Sequence, residues 1–417
     1  MTRQITGYRR LFTPELVAVL FVCCIAFFAG EVLTPILPLY LSSLGLDART
    51  IGLMFSIMMV GIAISEVFWG WVVDRVDLRI AIFMGTVMYG TIISTLNFAK
   101  TLPVLAVVVF IYGFCRSPIF IVGRWFMGVH APNDMKAFAM ALLGTAIGLV
   151  QTLGGFTSGY ITQAGGYRFT FWLAAGLAIS AGVIILIAGR WLNFQNHKQA
   201  QDKTELKVQK AGSISREVKL LTLSLGIIGT LYFVSFGIFN TYLPLYASEV
   251  VHAETSLVGN LFGVRGLIST LAMIPLGRLA DRKSKWFFLP LGMVLVALSM
   301  AGIAYSGSYM MLLVTVILFA LGSAIYLPLG TAILSQSIPV FWTGTAMGIY
   351  GFMEDVGWMI GPAIGGVLWV SWSQHAPFLF AGCVALVSIP LLIIGRHRLS
   401  NVVINQQKLE VEPEIRA

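Results

Sequence analysis

Six ionisable side chains stand inside stretches of sequence that are otherwise apolar: Glu31, Glu66, Arg116, Arg265, Glu354 and Asp355. A charge at the centre of a lipid layer costs roughly 2.5–3.5 kcal/mol on insertion scales, so each such residue is a functional candidate by default. Two chemistries are open to them. A carboxyl group in a low-dielectric site can be pushed toward neutral pH and so take up and release a proton, unless a cation holds it ionised. An arginine keeps its charge and can hold a carboxylate, from the protein or from a bound solute. Glu354 and Asp355 fall about 15 Å along a stretch that begins near Gly344, close to mid-membrane. Arg265 stands at a similar depth in another stretch, beside Gly263 and Gly266. A pair between Arg265 and one of these acids is expected, as a static tie or with one acid carrying a proton. Glu31 shares a helix face with Pro35 and Pro38, at i+4 and i+7. Glu66 precedes Gly70 by one helical turn, where gate support and substrate contact are both open.

The elements that must position these groups follow from composition. The 417 residues are 58% hydrophobic and 11% charged, against about 25% charged in an ordinary soluble domain. So much apolar surface cannot be hidden in one soluble core. The apolar residues instead form runs of roughly twenty, the length of helix that crosses the hydrocarbon layer. Lipid supplies no partner for a backbone amide, so spanning segments are helices or barrel strands, and these runs are too long and continuous for a barrel. Twelve spans are predicted, near 15–41, 50–73, 79–98, 103–123, 136–161, 168–190, 218–247, 256–276, 287–305, 309–335, 343–370 and 376–395. The fold class is therefore an all-α polytopic membrane protein. The first run is expected to be retained as a span: it is too long for a signal peptide and is preceded by Glu15.

Lysine and arginine set the expected orientation. Of the 27 such residues, three (Arg49, Lys100, Arg168) face outside and two (Arg116, Arg265) lie within spans when both termini are placed in the cytoplasm. The remainder are then all inside, as the positive-inside rule requires. The formal charge of +9 thus reports topology and contact with anionic lipid headgroups, not nucleic-acid binding. The polar stretch 191–217 reads as a cytoplasmic linker between a six-helix half at 1–190 and another at 218–395, with a cytoplasmic tail at 396–417. Cys23, Cys24, Cys115 and Cys383 read as small buried hydrophobes, and neither a metal site nor a cofactor is expected. No GxxxxGK[ST] phosphate loop is present, which argues against a transport ATPase.

The two halves repeat each other. TPILPLYLSSL at 34–44 matches TYLPLYASEV at 241–250, IGLMFSI at 51–57 matches VGNLFGV at 258–264, and WGWVVDRVDLR at 69–79 matches LGRLADRKSK at 276–285. The offset is 206 for the first pair, as from Pro38 to Pro244, and 207 for the others, as from Asp74 to Asp281. Duplicated halves are a recurring plan of secondary transporters, which place the substrate site between repeats near the midplane.

On these segments the chain resembles the major facilitator superfamily. Its signature between spans 2 and 3 is kept at Gly70, Asp74, Arg75 and Arg79, with Asp77 in place of glycine and Leu78 at a usually basic position. The copy between spans 8 and 9 keeps Gly277, Asp281, Arg282 and Lys285, with Ser284 for glycine. The resemblance implies two pseudo-symmetric six-helix halves making 12 transmembrane helices. It also implies a cytoplasmic gate held by the aspartates and arginines of these loops, with Glu66 as support. A second signature, GxxxGPxxGG, is typical of span 5 in antiporters. Here span 5 keeps Gly144, Gly148, Gly154 and Gly155 but has Val150 and Gln151 for Gly-Pro, while span 11 carries the whole pattern at Gly357, Gly361, Pro362, Gly365 and Gly366. These are expected packing or hinge residues.

The resemblance further places spans 1, 4, 7 and 10 around a central cavity, which makes Glu31 and Arg116 the favoured cavity pair. Tyr112, Asn240, Tyr242, Tyr246, Tyr326 and Gln336 are further cavity candidates. Tyr40, Tyr246 and Trp369 also suit the interfacial belt. The function so implied is proton-coupled export of a small organic or drug-like compound across the inner membrane by alternating access, by a monomer in contact with membrane lipids. Two alternatives stand beside it: a proton symporter importing a sugar, amino acid or organic anion, and a non-transporting receptor with a transporter fold.

Overall fold

The structure, a computed structural model, describes residues 13–73, 75–131, 135–190, 216–336, 338 and 342–392. Within them the chain is helical almost throughout. The elements are α1 Pro14–Leu33, α2 Ile36–Ser43, α3 Ala48–Val73, α4 Leu78–Thr95, α5 Leu102–His130 and α6 Lys136–Ala188. They continue with α7 Arg216–Glu249, α8 Thr255–Arg282, α9 Lys285–Ala304, α10 Tyr309–Gln336, α11 Thr343–Ser371 and α12 Ala376–Leu392. A helix satisfies its own backbone, which is what a hydrocarbon environment demands.

The helices cover all twelve predicted spans among the described residues, but not as twelve separate helices. The first span is broken. Pro35 supplies no N–H, and α1 ends there with Thr34 Oγ1 donating to the Gly30 carbonyl at 3.3 Å. Spans 5 and 6 run on as α6, which kinks at Gly166 (φ 73°, ψ 173°). Only glycine adopts that backbone geometry without strain. The start of α1 is capped by Thr13, whose Oγ1 accepts from Leu16 N at 3.3 Å, with Pro14 at the first helical position. Helix α5 runs to His130, seven residues beyond the predicted end at 123, and so takes Arg124 into the helix. Of the expected linker only Arg216 and Glu217 are described, as the start of α7; the tail at 396–417 lies outside the described residues.

The chain forms two compact units. The first gathers α1–α6 with Asn240–Thr270 and Gly307–Tyr309; the second gathers the rest of α7 and α8, α9, and the chain from Met310. Glycine sets the closest helix contacts in each. In the first unit a Cβ at Gly61 would meet the Phe110 carbonyl and one at Gly113 the Met58 carbonyl, so α3 and α5 touch backbone to backbone. Ser65 Oγ donates to the Phe114 carbonyl across the same seam. Gly155 lies against Gly263, Gly159 against Thr255, Gly148 against Thr270 and Gly154 against Glu31, while Gly144 has open space.

In the second unit Gly357 and Gly361 of α11 face the Thr230 and Val234 carbonyls of α7. Thr230 Oγ1 adds a hydrogen bond to the Met353 carbonyl at 2.8 Å. Lipid gives helices no hydrophobic reason to associate, so this close contact is where their attraction arises. Gly361→Leu is expected to destabilise the second unit by about 1–3 kcal/mol through overpacking. Gly144→Ala, at an open position, should change the melting temperature little. Thermal unfolding of the purified variants in detergent checks both.

Candidate functional site

The first unit holds a buried ion pair. Arg116 Nη2 on α5 donates to Glu31 Oε1 on α1 at 2.7 Å, and Glu31 is 5% exposed. The surroundings are built for it. Gly154 of α6 leaves space for the Glu31 side chain, and Gly30, one residue before Glu31, leaves space for the Tyr89 hydroxyl and Arg116. Tyr89 donates to the Tyr112 hydroxyl at 3.2 Å, and Arg116 lies within electrostatic reach of both tyrosines. Both tyrosines are fully buried. Removing one member of such a pair leaves an uncompensated buried charge, which costs about 3–5 kcal/mol.

Arg265 is buried in the same unit. Its Nη1 donates to Asn240 Oδ1 at 3.1 Å, and its guanidinium stands 5.5 Å from the Phe262 ring centre. Asn240 thus contacts Arg265 within the first unit, and the acids anticipated for Arg265, Glu354 and Asp355, are assigned to the second unit. Tyr242 donates to the Ala48 carbonyl at 3.2 Å, and Tyr246 is buried.

In the second unit Glu354 lies on α11 beside Gly229 of α7, where a Cβ would stand 3.1 Å from its Cγ. Tyr350, one turn earlier on α11, lies within electrostatic reach of the Glu354 carboxylate. Its hydroxyl also meets Tyr326 Oη at 3.3 Å. The Tyr326 ring stacks on Tyr232 with centres 4.1 Å apart. Sequence reasoning found Tyr326 and Tyr112 but missed Tyr89, Tyr232 and Tyr350. For Tyr350 the signal was present, since it stands at i−4 from Glu354 and so shares its helix face. Asp355 is half-buried on the next position round the helix.

The short connections place several of their charges at helix ends. Asp74 lies outside the described residues. Asp77 caps α4, accepting from Arg79 N at 2.8 Å and Arg79 Nε at 3.3 Å, while Arg79 Nη1 donates to the Gly189 carbonyl at 2.6 Å. A guanidinium on the last carbonyls of a helix suits its negative end. Arg75 donates to the Trp71 carbonyl at 3.3 Å and lies over the Trp71 ring. Gly70 and Gly277 both have open space. In the second unit Lys285 pairs with Asp281 at 3.1 Å and donates to Gln336 Oε1 at 2.8 Å, and Arg282 is exposed at the end of α8. Glu66 is exposed on α3 within electrostatic reach of Arg124.

The Major Facilitator Superfamily model matches residues 19–252 and 225–413. The chain belongs to the major facilitator superfamily. It is a multi-pass membrane protein and a secondary transporter, not an enzyme. An MFS-type transporter of Methanocaldococcus jannaschii is 23% identical over 81% of this chain and 86% of its own length. The multidrug resistance protein MdtG of Escherichia fergusonii is 22% identical over 88% of this chain and 90% of its own. Among solved structures, a POT family transporter in complex with 5-aminolevulinic acid shares the fold with a TM-score of 0.74, covering 93% of this chain and 96% of that one at 15% identity.

Two substitutions probe the geometry. Glu31→Gln should lower stability by about 3–5 kcal/mol by leaving Arg116 buried without its counter-charge. The double variant Glu31→Gln/Arg116→Gln should recover part of that loss, read from unfolding midpoints. Asp77→Ala should cost about 1 kcal/mol through loss of the α4 cap, and Asp77→Asn should restore most of it.

Proposed function

We propose that the chain is a proton-coupled exporter of small organic, drug-like compounds, working by alternating access between the halves 1–190 and 218–395. The observation that carries this reading is the buried Glu31–Arg116 pair with its two buried tyrosines. Arginine does not give up its proton in proteins, so relief of the pair comes through the acid or through a competing anion. A group that changes partners with protonation is what couples a proton gradient to a conformational change. The named multidrug resistance relatives support a drug-like solute. The charge bias of the loops supports an inner-membrane location with both termini in the cytoplasm. We take the working unit to be a monomer in contact with lipid.

A second reading, proton symport of an anionic metabolite, is favoured by the two buried arginines. Arg265 is hydrogen bonded to a neutral amide, and a solute carboxylate would suit that guanidinium well.

Purified protein in liposomes with an imposed pH gradient tests the proposal. Drug-like solutes should accumulate against their gradient only while the pH gradient persists. At least one of Glu31→Gln, Glu354→Gln and Asp355→Asn should uncouple solute movement from protons, dropping accumulation about tenfold or more. An active transporter whose coupling none of the three changes would sink the proton assignment. Loss of the gene should sensitise cells to several unrelated toxicants; loss of growth on one nutrient would instead support import.

A further inference from the structure

Glu354 stands at one end of an aromatic face formed by α7, α10 and α11 within the second unit. Tyr350, Glu354 and Trp358 follow each other at four-residue spacing and so form one stripe along α11. The opposing stripe of α7 carries Gly229, Phe233 and Phe236. Trp358 meets the Phe236 ring edge-on with centres 5.2 Å apart, and Phe233 at 5.9 Å. Beneath them Tyr232 stacks on Tyr326. Burial is graded across this face. Tyr232, Tyr326 and Tyr350 are buried, whereas Phe233, Phe236, Glu354 and Trp358 are half-buried.

We propose that this face recognises an organic cation with an apolar body. The ammonium or phosphonium centre sits against the Glu354 carboxylate, and its substituents lie on Trp358, Phe233 and Phe236. Ring faces are negative, so they attract a cation, and the attraction grows when water is excluded. A carboxylate is too costly to turn toward lipid, so the partly exposed side of Glu354 faces protein or a water-filled space that a solute can enter. Gly229 matters here because a larger residue would press on Glu354. Tyr350, one turn away on the same stripe, lies within electrostatic reach of the carboxylate. An anion of the same shape would meet repulsion from both the carboxylate and the rings.

This inference names the substrate class for the transporter proposed above and rests on that reading, but its test is one of binding. Tetraphenylphosphonium and tetraphenylborate have the same shape and opposite charge. Binding of each to purified wild-type protein in detergent, by calorimetry and tryptophan quenching, should favour the cation by at least about tenfold. Glu354→Gln should weaken cation binding about tenfold or more, Glu354→Asp less, and Trp358→Ala several-fold with Trp358→Phe close to wild type. Equal or stronger binding of tetraphenylborate to the wild type overturns the proposal without reliance on any variant. So does unchanged cation affinity in a folded Glu354→Gln protein. If the cation binds as expected but liposomes move no solute, the transport reading fails and the site stands. If solutes move but the cation does not bind, the site fails and the transport reading stands.

Discussion

A hydrocarbon layer offers nothing to hydrogen-bond with, and every polar group taken into it must find its partner within the chain. That constraint makes the backbone helical and then governs the charged side chains. Glu31 is met by Arg116 and Arg265 by Asn240, while Tyr350 stands one turn from Glu354. The groups so placed differ in kind: a permanent cation, a neutral amide and a phenol. The chemistry open to each charge depends on which partner it has.

The same solvent removes the hydrophobic force that assembles soluble helices, so packing rests on close approach. Glycines placed one turn apart on α11 bring it onto the α7 backbone at Thr230 and Val234. Glu354 stands between Met353, whose carbonyl accepts from Thr230, and the Gly357 contact. The acid is therefore mounted on the tightest seam of its unit, which limits how far the carboxylate and the rings beside it drift apart. In the first unit Gly154 and Gly30 do the equivalent for Glu31 and Arg116, by leaving room for side chains to meet.

The twelve crossings were legible because span length and hydropathy depend on composition over twenty residues, which averages out local detail. The break after Leu33 and the kink at Gly166 were not legible, because they depend on single backbone positions within apolar runs. Glu31 with Arg116 was anticipated from the resemblance to a family whose cavity helices were known. The tyrosines around them were missed, since a tyrosine in a span is more often packed or interfacial, and only the hydrogen bonds of Tyr89 and Tyr350 distinguish them. The Asn240 contact of Arg265 was not foreseen, because a neutral amide leaves no charge for a sequence to show. Asp77 read as a departure from a glycine motif, yet a short acid at the residue before a helix is also a cap, and the structure uses it as one.

The two acids differ in what protonation would cost them. A proton on Glu31 strips Arg116 of its counter-charge while both remain buried, a loss that only another anion or water can offset. A proton on Glu354 would leave a carboxylic acid one turn from the Tyr350 phenol, which can accept a hydrogen bond as well as donate one. In the proposed mechanism a proton and an organic cation would then compete for one carboxylate at Glu354. Competition of that kind gives antiport without a second ion site: the carboxylate holds one positive partner at a time, and a proton entering from one side displaces the cation toward the other. The Glu31–Arg116 pair fits a different part in the same cycle, as a contact whose breaking is costly enough to keep α1 and α5 together until a ligand or proton supplies the difference.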